Sequence, residues 1–551
     1  MSQRKSLPRS LAADTRSSNN TVVKSSRPRT ARFLLPLLAV LAACGGRDRA
    51  GEKLAPKTFT IGAGADNSPS GAFQARLGVY PLNANVAETL TRLGADFQVE
   101  PLLATRWEYR GGNTWRFHLL QGVFFHDGQP FTARAVSESI AKVVRGKGGY
   151  SGLSENSVRI VDDSTVDITP ATPNLHLPQQ LVHPNYAIFA PGTNPAVHPV
   201  GTGPYQWVSY RPFDRIIVKR NDRYRGQPPT ADQIVFRFIP DANTRGLSLF
   251  AGEIDLAMDF PREQIAELAR DRRYWIARAP AGQSLAFQVN AHGDPPHDLL
   301  HDRRLRLAIA HSIDQSRLIR DMWHNEALSL HAVTIPAILG AYADRIHGLA
   351  FDTAAADKLL NDAGWRPGPD GIRQNSAARP LRLEMLASIE VENGAIELLQ
   401  AQMRQVGIDS RFTRLPDPGA LNARLTAGAF DLNLAISNQN DADPLFLPAL
   451  LFYSKSHRPF SRWYAAGPKF DSIVDAGLAT SEPNEMRQIA AEAIRVSVDE
   501  EAVCIPVAAL FRIYALRADL GGFNPHPSQT NQSWTTLRRG KSEPSLPAVG
   551  R

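Results

Sequence analysis

No single hydrophobic core organises a chain of 551 residues. Cores stop growing at about 250–300 residues, and longer chains divide. Two lobes or domains are therefore expected. With 43% apolar and 21% charged residues, the composition is that of a globular protein and excludes disordered and fibrous classes. The net charge of +8 first suggests a nucleic-acid partner, but its distribution does not. Residues 1–32 hold eight basic side chains (Arg4, Lys5, Arg9, Arg16, Lys24, Arg27, Arg29, Arg32) against Asp14, which leaves the remainder almost neutral. The body of the chain has no dense Lys/Arg stripe, zinc-finger spacing or glycine-flanked aromatic box, so no nucleic acid is expected as a partner.

The basic stretch runs into an apolar segment, Phe33 to Ala43, too short for a hydrocarbon layer that needs about twenty residues. A basic region, a short apolar core and then small residues form the layout of a secretory signal. Residues 1–43 are read as that signal and 44–57, small and polar, as a tether. Leu41-Ala42-Ala43-Cys44 resembles the lipobox of bacterial lipoproteins, which implies an acylated Cys44 and a membrane attachment through lipid. The other cysteine, Cys504, then has no disulfide partner. It stands in the buried-strand pattern Ala502–Val507 and reads as a small core residue rather than a nucleophile.

Along the chain, strand signals fall at Thr58–Gly62, Thr114–Leu119, Val158–Ile160, Thr165–Ile168, Arg215–Lys219 and Gln233–Ile239. From about residue 300 helices and strands alternate. Helices are predicted over Arg303–Ile313, Ala354–Ala363 (closed by Gly364), Ile396–Gln405 (closed by Gly407), Phe470–Ala479 and Glu485–Ala502. Strands are predicted at Leu381–Leu386, Ile505–Phe511 and Ile513–Leu516. The mixture indicates α/β lobes.

Seven segments carry a resemblance in their order: Leu102–Trp107 with Thr114–Leu119, Val123–Ala133, Val200-Gly201-Thr202-Gly203-Pro204-Tyr205, Arg220–Tyr224, Gly252–Asp255 and Asn361–Trp365. In them the chain resembles the peptide/nickel class of extracytoplasmic solute-binding proteins, family 5, over about residues 58–525. Physically the boxes look structural. Gly128 and Pro130 shape a turn that presents Phe131 to the core, and Thr132 is placed to cap the following helix. Gly201 and Gly203 lack the Gly-Lys-Ser/Thr ending of a phosphate loop.

The resemblance implies an α/β, two-lobe periplasmic-binding-protein-like fold with a hinge and a central ligand cleft. Lobe I would span 58–275, with an extra subdomain at about 90–190, and lobe II 276–503. Residues 504–530 would return to lobe I, and 531–551 would be a flexible tail. The hinge crossings would lie near Ala279–Gln283 and Cys504–Pro506. The implied role is the binding component of an ABC importer, a monomer that captures a small, peptide-like solute outside the cytoplasm and delivers it to a permease and ATPase.

Peptide-binding members hold the ligand ammonium with an aspartate four residues before a proline. In Ser437–Phe446 that position is Asn440, followed by Asp441 and by Asp443-Pro444, so Asn440, Asp441 and Asp443 are ligand candidates. Tyr80 and Asn83 in lobe I, and Gln288 and Asn290 on the strand entering lobe II, follow from position in the family. The arginine that dipeptide-type members place after the strand near residue 386 is absent from Leu386–Glu392, and Ala442 replaces the aromatic of nickel-type members. His292, His297 and His301 cluster in sequence, but Pro295-Pro296 interrupts them and no ligand set is completed. No metal or cofactor is expected. No Gly-x-Ser-x-Gly elbow, His-Glu-x-x-His helix or Cys/His dyad is present, so no enzyme is expected. The alternatives are a nickel, haem or other metal-complex carrier of the same fold and, from another class, an exported hydrolase or signalling receptor.

Overall fold

The computed structural model describes residues 57–64, 79–146, 152–171, 173–387, 391–415, 418–440, 442–456, 458–480 and 482–540. Cys44 and Asp441 lie outside the described residues.

The backbone is one long mixed sheet. Ten strands form its path: β1 (Thr58–Ala63), β2 (Tyr205–Arg211), β3 (Arg215–Arg220), β4 (Gln233–Phe238), β5 (Leu256–Met258), β6 (Tyr274–Val289), β7 (Arg382–Ala387), β8 (Asp409–Arg414), β9 (Leu432–Asn438) and β10 (Cys504–Arg517). Their spatial order is β8-β7-β9-β6-β10-β5-β1-β4-β3-β2, with the short strand Ala327–Leu328 added on β10.

Two of these strands, β6 and β10, run through both halves. The first half of β6 pairs with the end of β10, from Tyr274 opposite Arg517 to Ala279 opposite Arg512. Register then shifts, and Gln283 onward pairs with β9 on one side and the start of β10 on the other. The first crossing lies at the expected Ala279–Gln283. The second lies at Leu510–Arg512, later than Cys504–Pro506, because β10 stays paired within lobe II until Leu510 and meets β5 only from Tyr514. At the crossing the C-terminal segment comes so close that a Cβ on Gly282 would stand 2.1 Å from the Pro527 carbonyl oxygen.

Apolar layers cover both faces of each half, which is why β10 is buried at every position but its last. In lobe II, one core gathers Phe287, Ile309, Leu360 and Leu399, and a second gathers Phe430, Phe452, Phe470 and Ile494. In lobe I, Phe59, Tyr205, Phe236 and Trp534 fill one face and Phe260, Leu249 and Ile513 the other. A subdomain with its own core stands on lobe I: a four-stranded sheet (Ala104–Tyr109, Trp115–Leu119, Thr165–Ile168, Val158–Asp162) packed by the helix Ala133–Arg145.

Most predicted elements appear within a residue or two. The helices span Arg303–Ser312, Thr353–Asp362, Asn393–Gln405 and Pro468–Leu478, and Gly364 and Gly407 hold the expected positive φ after the second and third. Other expectations need correction. The last helix is regular over Pro483–Arg495 only and continues as a π turn, Val496–Glu500. The two C-terminal strand signals are one strand, β10. Thr132 sits at the N-cap, but its hydroxyl makes no capping bond. Residues 531–540 are not a loose tail: Trp534 and Leu537 are buried, Trp534 stacks on Phe523 at 5.7 Å, and Arg539 pairs with Asp255 at 2.7 Å. An indole of that size fills the lobe I core and anchors the segment.

Candidate functional site

In open α/β sheets ligands bind beyond the carboxyl ends of parallel strands. Lobe I has one such edge, where the mutually parallel β1, β4 and β5 end at Ala63, Phe238 and Met258. Lobe II has another, where the parallel β7, β8 and β9 end at Ala387, Arg414 and Asn438. Side chains near the two edges meet through polar contacts. Arg262, after β5, donates through Nη1 to Glu392 Oε1 at 2.9 Å and through Nη2 to the Phe511 carbonyl at 2.8 Å. Arg512, on β10, stands 3.3 Å from Asp259 Oδ1 and donates to Asn438 Oδ1 at 3.3 Å, so it touches both lobes. Gln283 also reaches Asn438 Oδ1, at 3.0 Å. Asp259 holds φ at +47°, a strained backbone of the kind found at functional sites.

These groups carry both charges within one cleft. Arg262, Glu392, Asp259, Arg512 and Asn438 were not among the sequence candidates. Arg512 did leave a signal: it is the one charged residue in the run Cys504–Leu516.

The sequence candidates divide. Asn440 lies at this cleft, its Oδ1 3.5 Å from the Ser528 hydroxyl of the C-terminal segment. Tyr80 packs edge-to-face on Phe238 with centroids 5.8 Å apart, at the carboxyl end of β4. Asn83 accepts through its main-chain carbonyl from Trp534 Nε1 at 2.7 Å, and its side-chain Oδ1 is buried without a partner.

The other three described candidates are interior groups. Gln288 accepts from Asn433 Nδ2 at 2.8 Å, its cross-strand neighbour inside lobe II. Asn290 is fully buried and donates to the Gly428 and Phe430 carbonyls at 3.2 and 2.7 Å. Both amides bond to strand or backbone groups, and the Asn290 Oδ1 is buried without a partner. Asp443 is 1% exposed. It accepts from Leu445 N at 2.9 Å and from Gln180 Nε2 at 3.0 Å, and His176 Nδ1 lies 3.1 Å from its Oδ2. In this arrangement it joins residues 176–180 to the loop after β9.

The lobe II loop after β7 lacks an arginine, as read from sequence, but Arg414 at the end of neighbouring β8 donates to the Val391 carbonyl there. The three histidines do not converge. His292 contacts the Ala465 carbonyl at 2.9 Å, His301 the Gly293 carbonyl at 2.8 Å, and His297 Nδ1 lies 3.4 Å from Asp431. Among the described residues no group of three His, Cys, Asp or Glu side chains is placed to hold a metal ion. Cys504 is buried in lobe II, and burial pushes its thiol up to about 12, which leaves it protonated and unreactive.

Known proteins share this fold. The chain is 28% identical over 454 residues to the glutathione-binding protein GsiB of Salmonella typhi, covering 78% of this chain and 84% of that protein. It is 26% identical over 515 residues to the nickel-binding periplasmic protein of Escherichia coli K12, covering 87% and 95%. Among solved structures, NikA from Brucella suis in complex with Fe(III)-EDTA superposes with a TM-score of 0.75 at 23% identity, over 88% of this chain and 99% of the other. The periplasmic binding protein DppA from Helicobacter pylori in complex with the peptide STSA gives 0.73 at 20% identity, over 88% and 98%. Residues 98–458 match the family model of the bacterial extracellular solute-binding proteins, family 5 Middle. A two-lobe sheet, a double hinge and this match together make the chain a member of the bacterial extracellular solute-binding proteins of family 5.

Proposed function

We propose that the protein captures a small, zwitterionic, peptide-like solute outside the cytoplasm and delivers it to an ABC permease and ATPase. The observation that carries this reading is the cleft between the two carboxyl edges, where Arg262 and Arg512 stand with Asp259, Glu392, Asn438 and Asn440. Groups of both signs in a partly dry gap suit a ligand with an ammonium and a carboxylate, because each charge is worth most where water is excluded. The named relatives bind glutathione and nickel, and the polar lining favours the first chemistry over the second. Binding energy in such a molecule goes into closing the hinge. The protein acts as a monomer and binds without turnover.

Thermal unfolding of the full chain tests this against dipeptides, tripeptides, glutathione and nickel–histidine. A bound solute at a hundred times its Kd stabilises the folded state by about 2.7 kcal/mol. Stabilisation by a peptide-class compound, lost in Arg512→Met, is the expected result. Stabilisation by nickel–histidine alone would overturn the peptide reading.

Attachment to the membrane is proposed to run through a lipid on Cys44. In Cys44→Ala the chain is expected to lose its acyl mass and to move from the membrane to the soluble fraction, read by mass spectrometry and fractionation. An unchanged membrane fraction would refute the anchor.

A further inference from the structure

His176 belongs to the lobe I side of the chain, yet its ring is seated in lobe II. The ring is fully buried. Its Nε2 lies 3.2 Å from the Thr480 carbonyl oxygen and its Nδ1 3.1 Å from Asp443 Oδ2, an ion pair more than an aligned hydrogen bond. A neutral imidazole offers one N–H and one lone pair. Here both nitrogens face acceptors, so the doubly protonated imidazolium is the form that fits.

Gln180, also from lobe I, donates to the same Asp443 oxygen at 3.0 Å, and Asn174 Nδ2 orients it by donating to its Oε1 at 2.9 Å. Close to this network, Leu93, Phe97 and Val182 of lobe I meet Ile335 and Ile338 of lobe II in one apolar cluster that keeps water out. The charged group facing His176 is Asp443, and the one facing Asp443 is His176. Further out, Glu485 binds the Thr480 hydroxyl at 2.6 Å, the His183 ring lies 6.3 Å from Phe446, and Arg487 reaches Gln98 across the lobes at 3.3 Å.

We propose that His176, Gln180 and Asp443 form an interlobe latch in which closing of the lobes takes up a proton at His176, so that the closed form loosens as the pH rises. The link from this latch to solute retention rests on the capture-by-closure reading above; the latch itself does not need a solute. In an open molecule both groups meet water, where histidine titrates near 6.5 and aspartate near 3.8. In the closed form burial pulls the imidazole down and is the largest single effect, but the charge and hydrogen bond of Asp443 together with the Thr480 and Gly477 carbonyls outweigh it, and the pKa stands raised. Burial likewise pushes Asp443 up, and the His176 charge and the hydrogen bonds carry it below its ordinary value. A raised histidine pKa favours the closed form fully below 6.5, and that advantage is lost as pH rises through the closed-form value. The lowered Asp443 contributes above 3.8 and is lost as pH falls through its closed-form value. The latch is therefore fully made on the mildly acidic side of neutrality.

Hydrogen–deuterium exchange of the full chain without solute, normalised for the intrinsic rate, tests this at about pH 6 and about pH 8.5. Peptides over 177–182 and 335–339 are expected to lose protection at the higher pH, by up to about tenfold per pH unit beyond the closed-form pKa. Peptides over β7 report global unfolding and are expected to stay unchanged. In His176→Gln the interface peptides should exchange at about pH 6 as fast as the wild type does at about pH 8.5, with no remaining pH dependence. Asp443→Asn, which keeps the shape, should behave alike. Equal normalised exchange at both pH values in the wild type, or pH dependence that survives in His176→Gln, would overturn the latch. A latch that responds to pH in a protein that stabilises no solute would instead sink the capture reading and leave the latch standing.

Discussion

Replacing Glu88 with alanine is expected to destabilise the protein by about 2–3 kcal/mol, because a buried carboxylate that serves a part-exposed guanidinium and two hydroxyl donors is lost. Glu88 is 6% exposed, yet its carboxylate is fully engaged. Arg225 grips it with Nη1 and Nη2 at 2.6 and 2.9 Å, the Thr202 hydroxyl donates at 2.6 Å, and the Tyr224 hydroxyl donates at 3.1 Å. The alanine variant leaves two hydroxyls and a part-exposed guanidinium without their acceptor, and the buried Thr202 donor is the costliest to leave unpaired. This cluster also explains two of the sequence boxes. Thr202 comes from the Val200–Tyr205 turn and Tyr224 from Arg220–Tyr224, so Glu88 stitches both to the start of the subdomain. The turn allows no side chain there, since a Cβ on Gly201 would stand 2.1 Å from the Val86 carbonyl oxygen. Denaturant unfolding checks the prediction. Glu88→Gln should fall between wild type and Glu88→Ala, and a cost under about 1 kcal/mol for alanine would place the pair among the weak surface class.

The second large effect is expected at Arg245. This guanidinium is buried and meets only carbonyls: Met258 O at 2.6 Å, Ile239 O at 2.5 Å and Asp259 O at 2.7 Å. It rises from the helix Ala242–Phe250, whose start Asp241 caps by accepting from Thr244 N at 2.7 Å. These bonds, with a longer one to the Pro240 carbonyl at 3.4 Å, tie together the carboxyl ends of β4 and β5 at the lobe I edge and hold Asp259 in its left-handed backbone. Arg245→Met keeps the length and the apolar stem but removes every donor. With bonds to charged groups worth about 1.5–3 kcal/mol each, a total loss on the order of 3–5 kcal/mol is expected after partial relaxation. Arg245→Lys should recover little, because one ammonium cannot reproduce a planar fork aimed at several carbonyls. The same variants should weaken solute binding more than their stability loss alone explains, read by calorimetry below the unfolding range. Unchanged affinity in a folded Arg245→Met protein would show that Asp259 needs no such support.

The site was less legible in the sequence than the fold. Asp443 and Asn290 were chosen for their place in a resembling pattern, and each proved to be fully buried and hydrogen-bonded inside the protein. Nothing in a one-dimensional pattern separates a carboxylate that faces a ligand from one that faces a histidine 267 positions earlier. His176 drew no notice, because a lone histidine in a polar stretch has no period and no motif. Arg512 could have been found, since a guanidinium within an apolar strand must meet a partner. In the tail the opposite holds: Trp534 is a strong burial signal, but its neighbours Asn531, Gln532 and Ser533 make the segment read as polar.

Most strands and helices and the glycine-closed helix ends are legible along the chain, because they depend on period, turn chemistry and short-range order. The partner changes along β10 and the meeting of His176 with Asp443 emerge only in three dimensions. Those outcomes depend on contacts between residues hundreds of positions apart, and the free energy of a buried charge is set by its partner, which no local pattern names.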